Sequence, residues 1–146
     1  MLHFLIPAAS VLTLDRFFKH KIQKDRHRKR TVCLNQITFQ YSRNYGAFLN
    51  LFEKHPRFLT VLSGILLFFL TIFFACICRK DRSPILLTAF GLFFSGASSN
   101  LYDRLTDGFV TDYISFRHPR CLSHIVYNLA DFAIFLSCIL ITAKGV

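Results

Sequence analysis

The stretch from Phe58 to Cys78 holds twenty-one consecutive residues without a charged side chain. At a rise of about 1.5 Å per residue, a helix of that length crosses the ~30 Å hydrocarbon core of a bilayer. Composition agrees with this, because 53% of the 146 residues are hydrophobic and 18 are Phe, which is too apolar for an ordinary soluble domain. The sequence therefore predicts an integral membrane protein.

Three further stretches are predicted to cross the membrane. Pro84 to Tyr102 and Ile125 to Ala143 are nearly as long, with polar residues toward one end. Leu2 to Leu14 is shorter, and it spans only if its helix continues through Phe18 with the Lys19 amine snorkelling to the interface. We therefore expect an all-α membrane protein with one domain over residues 1–146 and spans over about 2–18, 58–78, 84–102 and 125–143.

The first apolar stretch could also be mistaken for a secretory signal. It has no basic segment before it and no clear small-residue cleavage site before Asp15, so we interpret it as an uncleaved first span. The five cysteines are odd in number and lack zinc-site spacing. Metalloprotease HExxH, Gly-rich phosphate-loop and GxSxG motifs are also missing from the sequence. Carboxylates remain as the candidates for chemistry.

The formal charge of +10 is unevenly distributed, because Arg16 to Arg57 holds eleven of the eighteen Lys and Arg residues. A basic stretch beside a span is more typical of contact with anionic lipid headgroups than with nucleic acid. The short basic turn from Arg79 to Arg82 predicts a cytoplasmic location for that turn, whereas the basic first loop alone predicts the inverted orientation. In either orientation the first loop and the segment 103–124 share one side.

Acidic and amide groups concentrate in the last third of the chain. Ionisable groups inside or at the edge of a span are costly, so each is a functional candidate. On a helix, Asn128 and Asp131 would share a face, with His124 one turn earlier. If residues 109–116 form an extended strand, Asp112 lies on the same face as apolar residues of that segment, such as Ile114.

A carboxylate pair formed by Asp112 and Asp131 at the membrane surface explains this pattern. Two carboxylates a few ångströms apart cannot comfortably both ionise, so they tend to share one proton. One can then act as a general base on water while its protonated partner polarises a carbonyl group. This is the chemistry of an aspartic protease.

Other interpretations stay open on spacing alone. Asp103 beside Arg104 is explained as an ion pair that closes the helix end, and Asp15 as an interfacial charge or as a structural or substrate-side residue. Asp131 could pair with a buried Arg or serve as a transport-site carboxylate. The rival function is therefore a small non-catalytic or transport-type four-helix protein, although the span from Phe58 to Cys78 offers few polar groups for a transport path.

Ten residues in the last third resemble, in order, the signature of the lipoprotein signal peptidase (signal peptidase II) family, with its NxxDR, GxVxDF and FNxAD motifs. The matching residues are Gly96, Asn100, Asp103, Arg104, Gly108, Val110, Asp112, Asn128, Ala130 and Asp131. Upstream, LDRFFK (Leu14 to Lys19) and NYGAF (Asn44 to Phe48) are similar to two further segments of that family.

This resemblance implies a four-helix bundle with a small extracytoplasmic β-rich cradle and both termini in the cytoplasm. The protein would be multi-pass in the bacterial cytoplasmic membrane, with its active site on the extracytoplasmic side and no metal or cofactor. Asp112 and Asp131 would be the catalytic aspartyl dyad. Residues that would support the dyad or bind substrate are Asn44, Asn100, Arg104, Asn128 and Asp15; structural roles would fall to Asp103, Gly96 and Gly108.

The same resemblance implies the substrate. It is a prolipoprotein whose lipobox cysteine already bears diacylglyceryl, cut just before that cysteine. Membrane lipids are the other expected partners, and nucleic acid is not one. The orientation implied places the basic first loop outside, against the simple charge count.

Overall fold

Pro56 and Pro84 each stand at the start of a long helix, because a residue without a backbone N–H is well accommodated in the first turn. The computed structural model describes residues 1–32, 36–47, 51–119 and 125–145. The helices are α1 (Leu2–Lys24), α2 (Pro56–Lys80), α3 (Pro84–Thr106) and α4 (Leu129–Lys144). The strands are β1 (Arg30–Val32), β2 (Ile37–Asn44), β3 (Val110–Phe116) and β4 (Val126–Tyr127).

Among the described helices, α2 and α3 are long and apolar enough to cross a membrane by length and composition. Only 6% of the most apolar window of α2 is buried, so most of its Leu, Ile and Phe side chains point outward. A soluble protein would bury such a helix, whereas lipid tails solvate it. The predicted spans over 58–78 and 84–102 lie within these two helices.

Helix α3 packs against each of the other three helices and forms the centre of the bundle. Near its start, the Phe90 ring stacks on Phe74 of α2 with centroids 5.2 Å apart. On another side the same ring contacts Phe4 of α1 at 5.0 Å. The many Phe residues therefore hold the helices together at the end where α3 begins.

Gly96 lets α3 and α4 approach closely. A Cβ atom at this position would lie 2.5 Å from the Ala130 carbonyl oxygen and 2.9 Å from Ile134 Cγ1. Small residues allow this kind of close helix contact in membrane bundles. The approach brings Asn100, one turn further along α3, beside the start of α4.

We expect Gly96→Ala to destabilise the protein by about 1–3 kcal/mol, because the added methyl group overpacks the contact with Ala130. The measurement is the thermal unfolding midpoint in detergent. Gly64→Ala in α2 is the matched control, since its Cβ would meet nothing closer than Leu101 Cδ2 at 4.0 Å. Equal midpoints for the two variants would contradict this account of the α3–α4 contact.

The strands form one antiparallel sheet in the order β1-β2-β3-β4. The pairing of β2 with β3 confirms that the first loop and the segment after α3 share one side. Between Phe39 and Ser42 the register shifts, so that Ser42 lies opposite Asp112 and Asn44 opposite Val110. This irregularity changes the direction of β2, and the Asn44 side chain contacts Asp112.

The structure differs from the predicted start of the fourth span. Residues Val126–Tyr127 pair with β3 as β4, so the chain is still extended there and α4 begins only at Leu129. His124, placed on the same helical stripe as Asn128, lies outside the described residues. Phe48 of the NYGAF segment lies outside them as well.

Candidate active site

Asp112 is a nearly fully buried carboxylate on β3. Its Oδ2 atom accepts a hydrogen bond from Asn44 Nδ2 at 2.9 Å, and its Oδ1 atom accepts one from Asn128 Nδ2 at 2.7 Å. The residue is held by β2 on one side and by the start of α4 on the other. Both oxygens thus have a donor and still have a lone pair free for a further contact.

Asp131 lies in the first turn of α4, where Asn128 is the N-cap. The Asn128 Oδ1 atom accepts from the Asp131 backbone N–H at 2.9 Å, and Asp131 Oδ2 accepts from the Asn128 N–H at 3.0 Å. This reciprocal arrangement is a capping box. It explains the three-residue spacing better than a shared helical face, and it fixes the Asp131 side chain at the helix start.

Asn128 joins the two carboxylates. It donates through its side chain to Asp112 and through its backbone to Asp131, and it is fully buried. Asn100 of α3 completes the arrangement, since its Nδ2 atom donates to Asp131 Oδ1 at 2.8 Å. Its Oδ1 atom accepts from Asn128 Nδ2 at 3.2 Å.

Arg104 lies one turn beyond Asn100 on α3 and contacts the segment after β2. Its guanidinium donates to the Gly46 carbonyl oxygen at 3.0 Å and to the Asn100 carbonyl oxygen at 3.3 Å. The Gly46 N–H in turn donates to Asn44 Oδ1 at 3.0 Å. Arg104 therefore helps to position Asn44, and its buried Nε atom has no partner within the described residues.

A second buried polar cluster lies behind these residues. Lys19 Nζ contacts Asp15 Oδ2 at 2.7 Å and Asp103 Oδ2 at 2.8 Å, and all three side chains are at most 2% exposed. Lys19 was expected to snorkel to the interface, which is wrong, because these two carboxylates draw its amine inward. Asp103 also pairs with Arg16. Its ion-pair partners are thus on α1 rather than the adjacent Arg104.

Asp15 is connected to several elements at once. Its oxygens accept from Ser99 Oγ at 2.6 Å, from the Tyr113 hydroxyl at 3.1 Å and from the Ala130 N–H at 3.4 Å. It is fully buried, so it is not a plain interfacial charge. Its contacts tie α1 to α3, β3 and α4, immediately behind the two candidate catalytic carboxylates.

The two structural glycines are placed differently. Gly96 lies in the α3–α4 contact described above, whereas Gly108 has φ +78° and follows the end of α3. This left-handed conformation favours glycine and turns the chain into β3. Within the described part of the chain, a Cβ at Gly108 would meet no atom within 4 Å, so backbone conformation rather than space is its constraint.

Burial and the nearby Asp131 carboxylate raise the pKa of Asp112 to about 7. The hydrogen bonds from Asn44 and Asn128 and the charge of Lys19 act in the opposite direction. Near neutral pH this carboxyl group is therefore poised between its protonated and ionised forms. Such tuning is typical of groups that work as acid or base.

The sequence predicted Asp112, Asp131 and their amide neighbours as site residues, but not Lys19, Ser99 or Tyr113. Their contacts with Asp15 place them in the buried cluster. The four-residue spacing of Asp15 and Lys19 on a helix was a usable signal for an internal ion pair. Within the described residues, no group of three His, Cys, Asp or Glu side chains could hold a metal ion.

Comparison with known proteins identifies the family. The family model described as signal peptidase (SPase) II matches residues 7–146. A lipoprotein signal peptidase of Chlorobium luteolum is 30% identical over 94% of this chain and 88% of its own. That of Citrobacter koseri is 32% identical, with coverage of 92% and 85%.

A solved bacterial membrane enzyme, determined by the in meso method at 2.3 Å resolution, has the same fold. Its TM-score is 0.83 at 22% identity, covering 96% of this chain and 85% of that chain. The exposed apolar surface of α2 and the family match support a membrane location. The chain belongs to the signal peptidase II family of proteases, which cleave signal peptides from prolipoproteins.

Proposed function

We propose that the protein is an aspartyl endopeptidase whose catalytic dyad is Asp112 and Asp131. The observation that carries this proposal is the double role of Asn128, which donates to both carboxylates and so holds them in one site. Each of the four carboxylate oxygens accepts a hydrogen bond from an amide group. These donors fix the positions of the two carboxylates, which can still accept or donate a proton.

The reaction is hydrolysis of one peptide bond. One carboxylate of the dyad removes a proton from a water molecule, whose oxygen attacks the scissile carbonyl carbon. The protonated partner donates a hydrogen bond to the carbonyl oxygen and stabilises the charge that develops there. The tetrahedral intermediate then collapses, and the departing amine takes a proton from the dyad. The water oxygen remains in the new carboxylate of the released signal peptide.

The surrounding side chains have supporting roles. Asn44, Asn100 and Asn128 hold the carboxylates through the hydrogen bonds described above. Arg104 lies half-buried at the same place and positions Asn44 through the Gly46 backbone. Asp15 acts from behind the dyad through Ser99, Tyr113 and the start of α4.

The substrate we propose is a diacylglyceryl-modified prolipoprotein, cut just before the lipidated cysteine. Its signal peptide would lie among the helices with the acyl chains in lipid, and the dyad would be level with the scissile bond. All four helices would span the bacterial cytoplasmic membrane, and lipids would surround the exposed face of α2.

The orientation we propose places the sheet and the dyad on the extracytoplasmic side. Lys144 at the end of α4 pairs with Asp81 in the turn between α2 and α3, at 3.4 Å. Phe4 near the start of α1 packs on the beginning of α3. The start of α1 and the end of α4 therefore lie on the side of the short basic turn, which the positive-inside rule assigns to the cytoplasm.

The test is cleavage by the purified protein of one precursor in two forms, with and without diacylglyceryl on its cysteine. Mass spectrometry of the products gives the cut position. We expect cleavage immediately before the cysteine and a marked preference for the lipidated form. Cleavage at another bond, or equal rates for both forms, would contradict the proposed substrate.

The pH dependence of kcat/KM, which reports the free enzyme, provides a further prediction. The dyad works with one shared proton, and the pKa of Asp112 is about 7. As pH rises above that value the proton is lost, so kcat/KM should fall about tenfold per pH unit on the alkaline side. Steady-state rates between pH 5 and 9 check this. A rate that keeps rising to pH 9 would contradict the shared-proton dyad.

A further inference from the structure

Lys19 is a buried cation with four oxygen atoms around its amine. Besides Asp15 and Asp103, Lys19 Nζ contacts Asn100 Oδ1 at 3.1 Å and Ser99 Oγ at 3.4 Å. The side chain is 2% exposed, so water does not screen these contacts as it would at a surface. An ammonium group can only donate hydrogen bonds, and every one of these neighbours can accept.

The contact with Asn100 has a consequence for the dyad. An amide side chain can place its oxygen and its nitrogen in either of two orientations, and its neighbours decide between them. Lys19 and Asn128 both donate to the Asn100 oxygen. The Asn100 nitrogen must then point to the other side, where it donates to Asp131 Oδ1 at 2.8 Å.

The net charge of the groups around Lys19 also depends on the protonation state of the dyad. The ionisable groups that face this region from the helices and β3 are Asp15, Arg16, Lys19, Asp103, Arg104, Asp112, Tyr113 and Asp131. At formal charges the three cations face four carboxylates, and Tyr113 is neutral. The cluster is therefore neutral when Asp112 and Asp131 together hold one proton, and it carries one excess negative charge when both are ionised.

We propose that Lys19 is a positioning residue for the dyad: it orients the Asn100 amide toward Asp131, and its charge balances the cluster when the dyad holds one proton. Lys19 does not touch the substrate in this scheme. The inference rests on the proposed catalytic role of Asp112 and Asp131 and adds a residue that acts on them from behind.

Arg16 provides the contrast within the same cluster. It pairs with Asp103 as Lys19 does, and its guanidinium lies 4.3 Å from the centre of the Tyr102 ring. Its side chain is 43% exposed, and it donates to Asp103 rather than to Asn100. Each residue supplies one cation to Asp103, so a merely structural role for Lys19 predicts that Lys19 and Arg16 variants have similar effects on the pH profile.

The experiment compares Lys19→Met with Arg16→Met, using purified full-length protein and a diacylglyceryl-modified precursor. For Lys19→Met we expect kcat to fall by about tenfold to hundredfold while KM stays close to that of the wild type. Loss of the buried cation favours protonation of Asp112, so the alkaline limb of the pH profile of kcat/KM should move upward by about one unit. Arg16→Met should leave the profile close to that of the wild type, because solvent screens the guanidinium of a side chain that is 43% exposed.

The double variant Lys19→Met with Asp103→Asn provides a second test in case the single variant fails to fold. It removes one cation and one carboxylate, so the cluster is again neutral when the dyad holds one proton. We expect its pH profile to return toward that of the wild type, while kcat stays low because the Asn100 amide has lost its orienting cation.

The inference is overturned if Lys19→Met or the double variant keeps the wild-type kcat, or if Lys19→Met and Arg16→Met give the same pH profile. Asp112→Asn in the same assay separates this failure from failure of the proposed function. If Asp112→Asn remains active, the dyad itself is wrong. If Asp112→Asn is inactive and Lys19→Met matches Arg16→Met, only the role of Lys19 is wrong.

Discussion

Asp112→Asn and Asp131→Asn are each expected to lower kcat by at least about a hundredfold, the scale of general acid–base groups. An amide has nearly the shape of a carboxyl group, but it can neither remove a proton from water nor share one with the remaining carboxylate. Asp112 is also nearly fully buried and held by Asn44 and Asn128, so solvent cannot replace its function. The measurement is single-turnover cleavage of a lipidated precursor.

Asp25→Asn is the matched control for these variants. It makes the same chemical change at an exposed position at the end of α1, and it should keep the wild-type rate. Matched yields and thermal midpoints must accompany the rates. Residual activity within a few-fold of the wild type in either dyad variant would contradict the assignment of that carboxylate.

Asn128 variants are expected to separate a structural role from a catalytic one. Asn128→Ala removes both the helix cap and the side-chain donor to Asp112. Asn128→Ser keeps an oxygen that can cap α4, since Ser caps helices about as well as Asn, but it is too short to reach Asp112 as well. Both variants should lose activity by about a hundredfold, because Asp112 loses a donor and the dyad loses its bridge.

Stability should distinguish the two Asn128 variants. Asn128→Ala should unfold with a free energy about 1 kcal/mol lower than that of Asn128→Ser, which is the usual cost of a lost cap. Removing the donor should also raise the pKa of Asp112 further, so the alkaline fall in kcat/KM should move to higher pH in both variants. If Asn128→Ser were fully active, the bridge between the carboxylates would have no catalytic importance.

The apolar pattern of the sequence predicted α2 and α3 well. The uncharged run from Phe58 to Cys78 lies within α2, and most of its side chains point outward as lipid-facing residues should. An apolar run of this length predicts a helix directly, because every backbone group must be hydrogen-bonded inside the bilayer and a helix achieves this within one segment. The shared side of the first loop and the segment after α3 followed from counting spans.

The sheet and the start of α4 were harder to predict from the sequence. Strands as short as β1 and β4 have too few residues for an alternating pattern, and their pairing depends on contacts far away in the chain. Because Val126–Tyr127 pairs with β3, Asn128 becomes a helix cap rather than an interior helical residue. The spacing of Asn128 and Asp131 was noticed, but the capping box that explains it was not.

The buried position of Lys19 could not be read from hydropathy. A basic residue near the end of an apolar stretch usually extends to the interface, and only the combined position of Asp15 and Asp103 draws this amine inward. Those two carboxylates lie on different helices, far apart in the chain. The motif resemblance, by contrast, named both carboxylates of the proposed dyad, and Asn128 donates hydrogen bonds to both of them.

Cleavage of a lipidated precursor in water enriched in oxygen-18, under single-turnover conditions, tests the central claim most directly. If the dyad activates water, the released signal peptide should carry one heavy oxygen in its new carboxylate, and peptides containing Asp112 and Asp131 should stay unlabelled. An unlabelled product carboxylate would mean that an enzyme carboxylate attacked the bond itself. Either that result or the absence of cleavage by the wild-type protein would contradict the account.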